Sequence, residues 1–259
     1  MTPPDDRSSS ERNTTENPEN AAALERIATR TPSRLGVGRA GPRPRTDALV
    51  TFRSDHGTAR DAVLTHVSGE LIDDLDLVKI RTRVEDKEEY LTRPDLGREI
   101  SEETIKHLHE NCRQNPQVQL IVADGLSSTA VEANVPELLP ICMDGLADRE
   151  LDVGTLIFVE YGRVDVMDAV GEELDADCCV VLIGERPGLA TAASLSAYMV
   201  YGPKRGTPTS KKSVISNIHA DGLPPVEAGA EIADLVAEMC DKERSGLELR
   251  EDEREFVTE

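Results

Sequence analysis

The spacing of apolar positions changes character at Pro116. Beyond it, short apolar runs at 118–125, 155–162 and 179–184 each end in glycine, and longer stretches with helical spacing separate them. That alternation predicts β/α units around a mostly buried parallel sheet. Between the runs, Thr129-x-x-Glu132 has the form of a capping box, and Met167, Val170 and Leu174 fall on one helical face. The last helix begins after Pro224-Pro225. It carries Ile232, Leu235, Val236, Met239 and Cys240 on one side, Glu231, Asp234, Glu238 and Asp241 largely on the other, and stops at Ser245-Gly246.

Before Pro116 the pattern is mixed. A Gly-Pro-Arg-rich loop precedes helical spacing through Ala59, Val63 and Val67, and a strongly charged stretch follows over 73–89. A helix over 102–112 is clearer: Ser101 suits an N-cap, Ile105, Leu108 and Cys112 share a face, and Asn115-Pro116 follows. Residues 1–20 are polar apart from Met1 and cannot bury enough surface to offset ordering entropy, so a disordered head is expected. The predicted fold class is α/β. A small, mainly helical region over 21–115 precedes a Rossmann-like partial parallel sheet with helices over 116–259.

Composition narrows the function classes. The chain of 259 residues carries 50 acidic and 29 basic side chains, and 22 of the basic ones are arginine. Such a surface repels nucleic acid and anionic membranes. It fits adaptation to high salt, and it also fits an ordinary acidic cytosolic protein. Five cysteines with no C-x-x-C pair, mostly in apolar runs, read as reduced core residues of an intracellular protein. No apolar run approaches the ~18 residues of a membrane span. The head lacks the apolar stretch of a secretion signal.

In open α/β sheets ligands collect at the carboxyl ends of strands. Three segments occupy such places: Asp124-Gly125-Leu126-Ser127, Tyr161-Gly162-Arg163-Val164 and Gly184-Glu185-Arg186-Pro187-Gly188. The third combines backbone-permissive glycines with a carboxylate and a guanidinium, which suits a polar, amide-rich ligand and equally suits a solvated turn. No G-x-G-x-x-G follows a predicted strand, and P-loop and G-x-S-x-G motifs are absent. His107 and His109 diverge on a helix, and His56, His66 and His219 are isolated. Asp95, Asp124 and Glu132 show no acid/base spacing. Arg39, Arg43 and Arg45 form the densest cationic spot, able to grip a carboxylate or phosphate on a partner; an exposed linker with scattered arginine explains them as well.

Six blocks decide among these readings. Gly38-Arg-Ala-Gly-Pro-Arg-Pro-Arg-Thr46, Tyr90-Leu-Thr-Arg-Pro-Asp-Leu-Gly97, Asp124-Gly-Leu-Ser127, Tyr161-Gly-Arg-Val164, Gly184-Glu-Arg-Pro-Gly188 and Ile215-Ser-Asn-Ile-His219, in that order, resemble the ethanolamine ammonia-lyase light chain. They span about residues 35–246. The resemblance implies a Rossmann-like half-site covering adenosylcobalamin from one side, while a TIM-barrel large subunit holds ethanolamine on the other. The products would be acetaldehyde and ammonia, and this chain would be inactive alone. Region 21–115 would contact the large subunit.

Carried over by motif, the cobalamin contacts are Val164, Glu185 and Val214. Val214 departs from the family, whose well-known members have cysteine there, so its contact would be through backbone or packing. The absence of D-x-H-x-x-G agrees with enzymes that keep the nucleotide base on cobalt. The head has no amphipathic periodicity of the kind that directs some relatives into a bacterial microcompartment, which favours free cytoplasm as the location. The family resemblance implies paired subunits in a large assembly with threefold symmetry. The competing expectation is a non-catalytic cobalamin-binding or scaffolding protein that has lost its lyase partner.

Overall fold

A computed structural model of the chain describes residues 15, 17–31 and 33–249. Most of the polar head expected over 1–20 lies outside them. The elements, in chain order, are α1 (Ala21–Ala28), β1 (Arg39–Ala40), β2 (Arg43–Pro44), α2 (Thr46–Leu64), α3 (Gly69–Asp74), β3 (Val78–Arg81), α4 (Lys87–Thr92), α5 (Glu102–Asn111), β4 (Val118–Ala123), α6 (Ser128–Ala147), β5 (Ile157–Glu160), α7 (Val166–Leu174), β6 (Cys178–Gly184), β7 (Leu195–Tyr201), β8 (Ser213–Ile218) and α8 (Pro225–Lys242).

The described chain divides into two compact units, the first running to Asp61 with Gly188–Thr191 added, the second Ala62–Pro187 with the residues from Ala192 onward. In the first unit, the Asn20 side chain caps α1 by accepting from the Ala23 N–H. The arginine-rich block folds as the β1–β2 hairpin, turning at Gly41 with φ +64°, a conformation glycine adopts freely. Arg34 pairs with Asp55 and donates to the Leu189 carbonyl at 2.9 Å.

The second unit is built on a six-stranded sheet of order β3-β5-β4-β6-β7-β8. The first four strands are parallel, and β7 and β8 add on antiparallel. The apolar runs read from sequence are β4, β5 and β6, the centre of the sheet. Every residue of β4 and β6 is buried, as a strand covered on both faces requires. Strand β3 lies in the charged stretch within the region read as mainly helical. Its side-chain pattern is mixed because it is an edge strand, half-buried with Ile80 alone fully enclosed.

One face of the sheet is covered by α6 and α8, with Leu138, Leu139, Ile232, Val236 and Met239 against Leu120, Val122, Leu182 and Ala197. The two helices approach closely because Gly145 faces Ala233 and Gly229 faces the Leu138 carbonyl; a Cβ on either glycine would sit 2.7 Å from that neighbour. The other face is covered by α5 and α7, through Leu108, Val166, Met167 and Val170.

The predicted helix starts at Ser101 and Pro225 hold, while the last helix stops at Lys242, short of the Ser245-Gly246 expected, and the helical spacing read through Val67 ends at Leu64. Ser101 caps α5 by accepting from the Thr104 N–H at 3.1 Å, and α8 starts at Pro225 and ends on Glu243 in a left-handed conformation. Thr129-x-x-Glu132 is not the capping box of α6. The helix begins two residues earlier than that box would place it, capped by Ser127, whose Oγ accepts from the Ala130 N–H at 3.1 Å; Glu132 instead accepts the Ser68 N–H at 2.8 Å.

Candidate functional site

The three strand-end segments converge. β4, β5 and β6 run parallel, so the residues after Ala123, Glu160 and Ile183 emerge on the same side of the sheet. They border a cleft of about 430 Å³ lined by Tyr90, Gly125, Leu126, Arg163, Val164, Ile183, Gly184, Glu185, Arg186, Ser196, Tyr198 and Ser216.

Glycine permits this convergence. Gly125 adopts φ +58°, and a Cβ there would lie 2.3 Å from the Gly184 carbonyl. A Cβ on Gly184 would lie 2.1 Å from the Ser127 carbonyl. The two strand ends therefore touch backbone to backbone, held by the Leu126 N–H donating to the Gly184 carbonyl at 3.0 Å. Ser127 fastens the turn by donating to the Ala192 carbonyl at 2.6 Å.

Beneath the rim lies a buried polar knot. Asp124 is enclosed and accepts the Gly162 N–H at 3.1 Å. Burial pushes its carboxyl up to about 6, against the opposing pull of the nearby Lys87 ammonium and of backbone N–H groups. Lys87, whose own pKa burial lowers, places its ammonium 5.1 Å and 5.8 Å from the ring centroids of Tyr90 and Tyr161; the nitrogen is buried without a hydrogen-bond partner among the described residues. Tyr90 donates its hydroxyl to the Gly162 carbonyl at 2.9 Å. Arg163 stacks 4.1 Å above the Tyr90 ring and donates to the Tyr90 carbonyl at 2.8 Å, and its Nε is buried and unpartnered. The knot fixes the course of the β5 loop and with it the position of Val164.

Of the sequence-predicted contacts, Val164 and Glu185 line the cleft. Val164 is half-buried and packs against the α7 core. The Glu185 carboxylate is largely engaged within the protein: Oε2 accepts from Ser194 Oγ at 3.0 Å, and Oε1 accepts from Ser196 Oγ at 2.6 Å and from the Asn217 N–H at 3.0 Å. It thereby braces β6 against β7 and against the irregular register of β8, where Asn217 has φ +62°. One acceptor position remains on Oε2, since a carboxylate oxygen takes two donors. Val214 does not line the cleft. It sits opposite the lining residue Tyr198 in the β7–β8 register and is 40% exposed, on the same sheet face as Ser216.

The contributions of Ser196, Tyr198 and Ser216 escaped the sequence reading because β7 and β8 were not marked as strands. Their alternation of small, polar and apolar residues is the only signal they give. Lys87 was equally hidden, in a charged stretch where only the fold shows which lysine turns inward.

The sequence model of the ethanolamine ammonia-lyase light chain family matches residues 21–250. The chain is 49% identical over 235 residues to an ethanolamine ammonia-lyase small subunit of Clostridium perfringens, covering 91% of this chain and 80% of the relative. It is 48% identical over 220 residues to a protein of the same name from Listeria monocytogenes, covering 85% and 75%. A third, from Lachnoclostridium phytofermentans, is 49% identical over 224 residues, covering 86% and 76%.

Proposed function

The chain belongs to the ethanolamine ammonia-lyase light chain family, and from that premise we propose that it is the half of the enzyme that covers adenosylcobalamin, with a large subunit closing the other side. The observation that carries this is the convergence of three separated sequence blocks on one cleft at the strand ends.

The residues present fit a broad, flat ligand fringed with amides. Leu126, Val164 and Ile183 offer an apolar floor, Ser196 and Ser216 offer hydroxyls, Glu185 retains one acceptor position, and Arg163 keeps a buried donor unused. Val164 would hold the corrin by packing, Glu185 by accepting from an amide side chain, and Val214 by packing on the same sheet face beside Tyr198. Adenosylcobalamin supplies, when bound, homolysis of its cobalt–carbon bond and the carbon radical that removes a substrate hydrogen.

This chain's residues orient and exclude water. Gly125 and Gly184 keep side chains out of the strand junction, and the Asp124–Lys87–Tyr90–Arg163 knot holds the β5 loop rigid beneath the ligand. No side chain of the cleft is placed for acid/base work on ethanolamine, which is the substrate of the complex. Substrate handling falls to the TIM-barrel large subunit, and the chain alone is inactive. Among the described residues no helix is long and apolar enough to cross a membrane. We place the complex in the cytoplasm, free or within a microcompartment.

The test is ammonia release from ethanolamine by this chain co-purified with its large subunit, in high and low salt, with and without adenosylcobalamin. Activity that requires both chains and the cofactor is expected. Ammonia release by this chain alone, or without cofactor, would contradict the assignment. Corrinoid binding with no ammonia and no large-subunit complex would make it a non-catalytic cobalamin-binding protein.

A further inference from the structure

We infer that Lys212 is a positioning residue that sets the width of the cleft, tying strand β8, which carries Val214 and Ser216, to the loop that carries Val164. The inference rests on the proposed role of the cleft as the cobalamin seat.

Lys212 enters β8 in extended conformation, so residues 212, 214 and 216 point to one face of the sheet. Its side chain is 1% exposed, and its Nζ donates to Asp165 Oδ1 at 2.5 Å and to Asp168 Oδ2 at 2.8 Å. Asp165 directly follows Val164, and Asp168 stands in the first turn of α7. In the sheet β4, β6 and β7 separate β5 from β8, so backbone pairing fixes the span between Val164 and Val214 only through four successive strand junctions. The Lys212 ion pair crosses that span directly.

Stability does not account for this arrangement. A buried ammonium costs desolvation energy that its partners must offset, and replacing the whole lysine–carboxylate group by apolar side chains of similar volume is often as stable or more so. The remaining oxygen of Asp168 is buried with no hydrogen-bond partner among the described residues, a further cost. What the ions add over an apolar contact is direction and length: two short hydrogen bonds fix where β8 lies relative to the β5 loop.

The test compares adenosylcobalamin affinity, by equilibrium titration, in the two-chain complex carrying wild type, Lys212→Met, and Met239→Ala as a control with a comparable loss of thermal stability in the core of the opposite face. Lys212→Met strands two carboxylates, so Lys212→Met/Asp165→Asn/Asp168→Asn provides a charge-free version in case the single variant fails to fold. The expected result is at least about tenfold weaker cofactor binding in the Lys212 variants, with KM for ethanolamine unchanged at saturating cofactor and Met239→Ala binding as wild type. Equal weakening in Met239→Ala, or wild-type affinity in the Lys212 variants, would overturn the positioning role and leave the cobalamin seat standing. Failure of the wild-type complex to bind adenosylcobalamin would overturn both.

Discussion

The two faces of the sheet are finished differently. On one, α6 and α8 cover the strands from β4 through β8 with a mainly apolar interface, in which glycines admit close helix contact and buried Asn134 donates to the Ala193 carbonyl. On the other, the helical cover of α5 and α7 packs over the parallel strands, leaving Ser216 and Val214 of β8 exposed and Tyr198 of β7 only partly enclosed. Both faces bury an apolar core, and the incomplete face also carries the cleft, the Glu185 brace and the Lys212 ion pair.

Substitutions should separate the faces by size of effect. Leu138→Ala, in the closed core, is expected to lose about 2–5 kcal/mol in denaturant unfolding while leaving cofactor affinity intact in the folded complex. A loss below about 1 kcal/mol would mean that the face is less tightly packed than described.

The knot under the cleft should reveal itself through pH. Burial raises the folded Asp124 carboxyl to about 6, above its unfolded value, so the folded state binds the proton more tightly. Ionising it therefore costs stability as the pH rises from about 4 to 6, by roughly 1–3 kcal/mol. Asp168, also pushed up to about 6 by burial, adds a slope of the same sign. Asp124→Asn keeps an acceptor for Gly162 and should make the fall in stability over that window shallower; an unchanged profile would remove Asp124 from the titration.

Tyr90→Phe deletes the hydroxyl that donates to the Gly162 carbonyl. About 1 kcal/mol of stability should go, with weaker cofactor binding because the β5 loop loosens; unaltered binding would detach the knot from the site. Val214→Cys, on the exposed strand, should change stability by less than about 0.5 kcal/mol and leave cofactor affinity within about twofold, which calorimetry and titration would check. A large gain in affinity would show that cysteine at this position makes a contact that valine does not.

The sequence disclosed the centre of the sheet and little of its margins. β4 and β6 are buried on both faces, so their composition is continuous and unmistakable, whereas β3 is an edge strand with Lys79 and Arg81 turned outward and resembles any charged loop. β7 and β8 were missed because one of their faces borders the cleft: Ser196, Tyr198 and Ser216 break the apolar run that marks a core strand. Val164 and Glu185 were found through motif resemblance, and the structure adds that Glu185 spends most of its acceptors on Ser194, Ser196 and Asn217. Thr129-x-x-Glu132 misled because Ser127 offered a cap first, an outcome set by where β4 ends and not by local spacing.

The most direct test of the account is hydrogen–deuterium exchange on the two-chain complex with and without adenosylcobalamin. The account predicts new protection at residues 161–164, 184–186, 196–198 and 213–217, with α6 and α8 unchanged. Protection confined to other parts of the chain, or none on this chain at all, would contradict it.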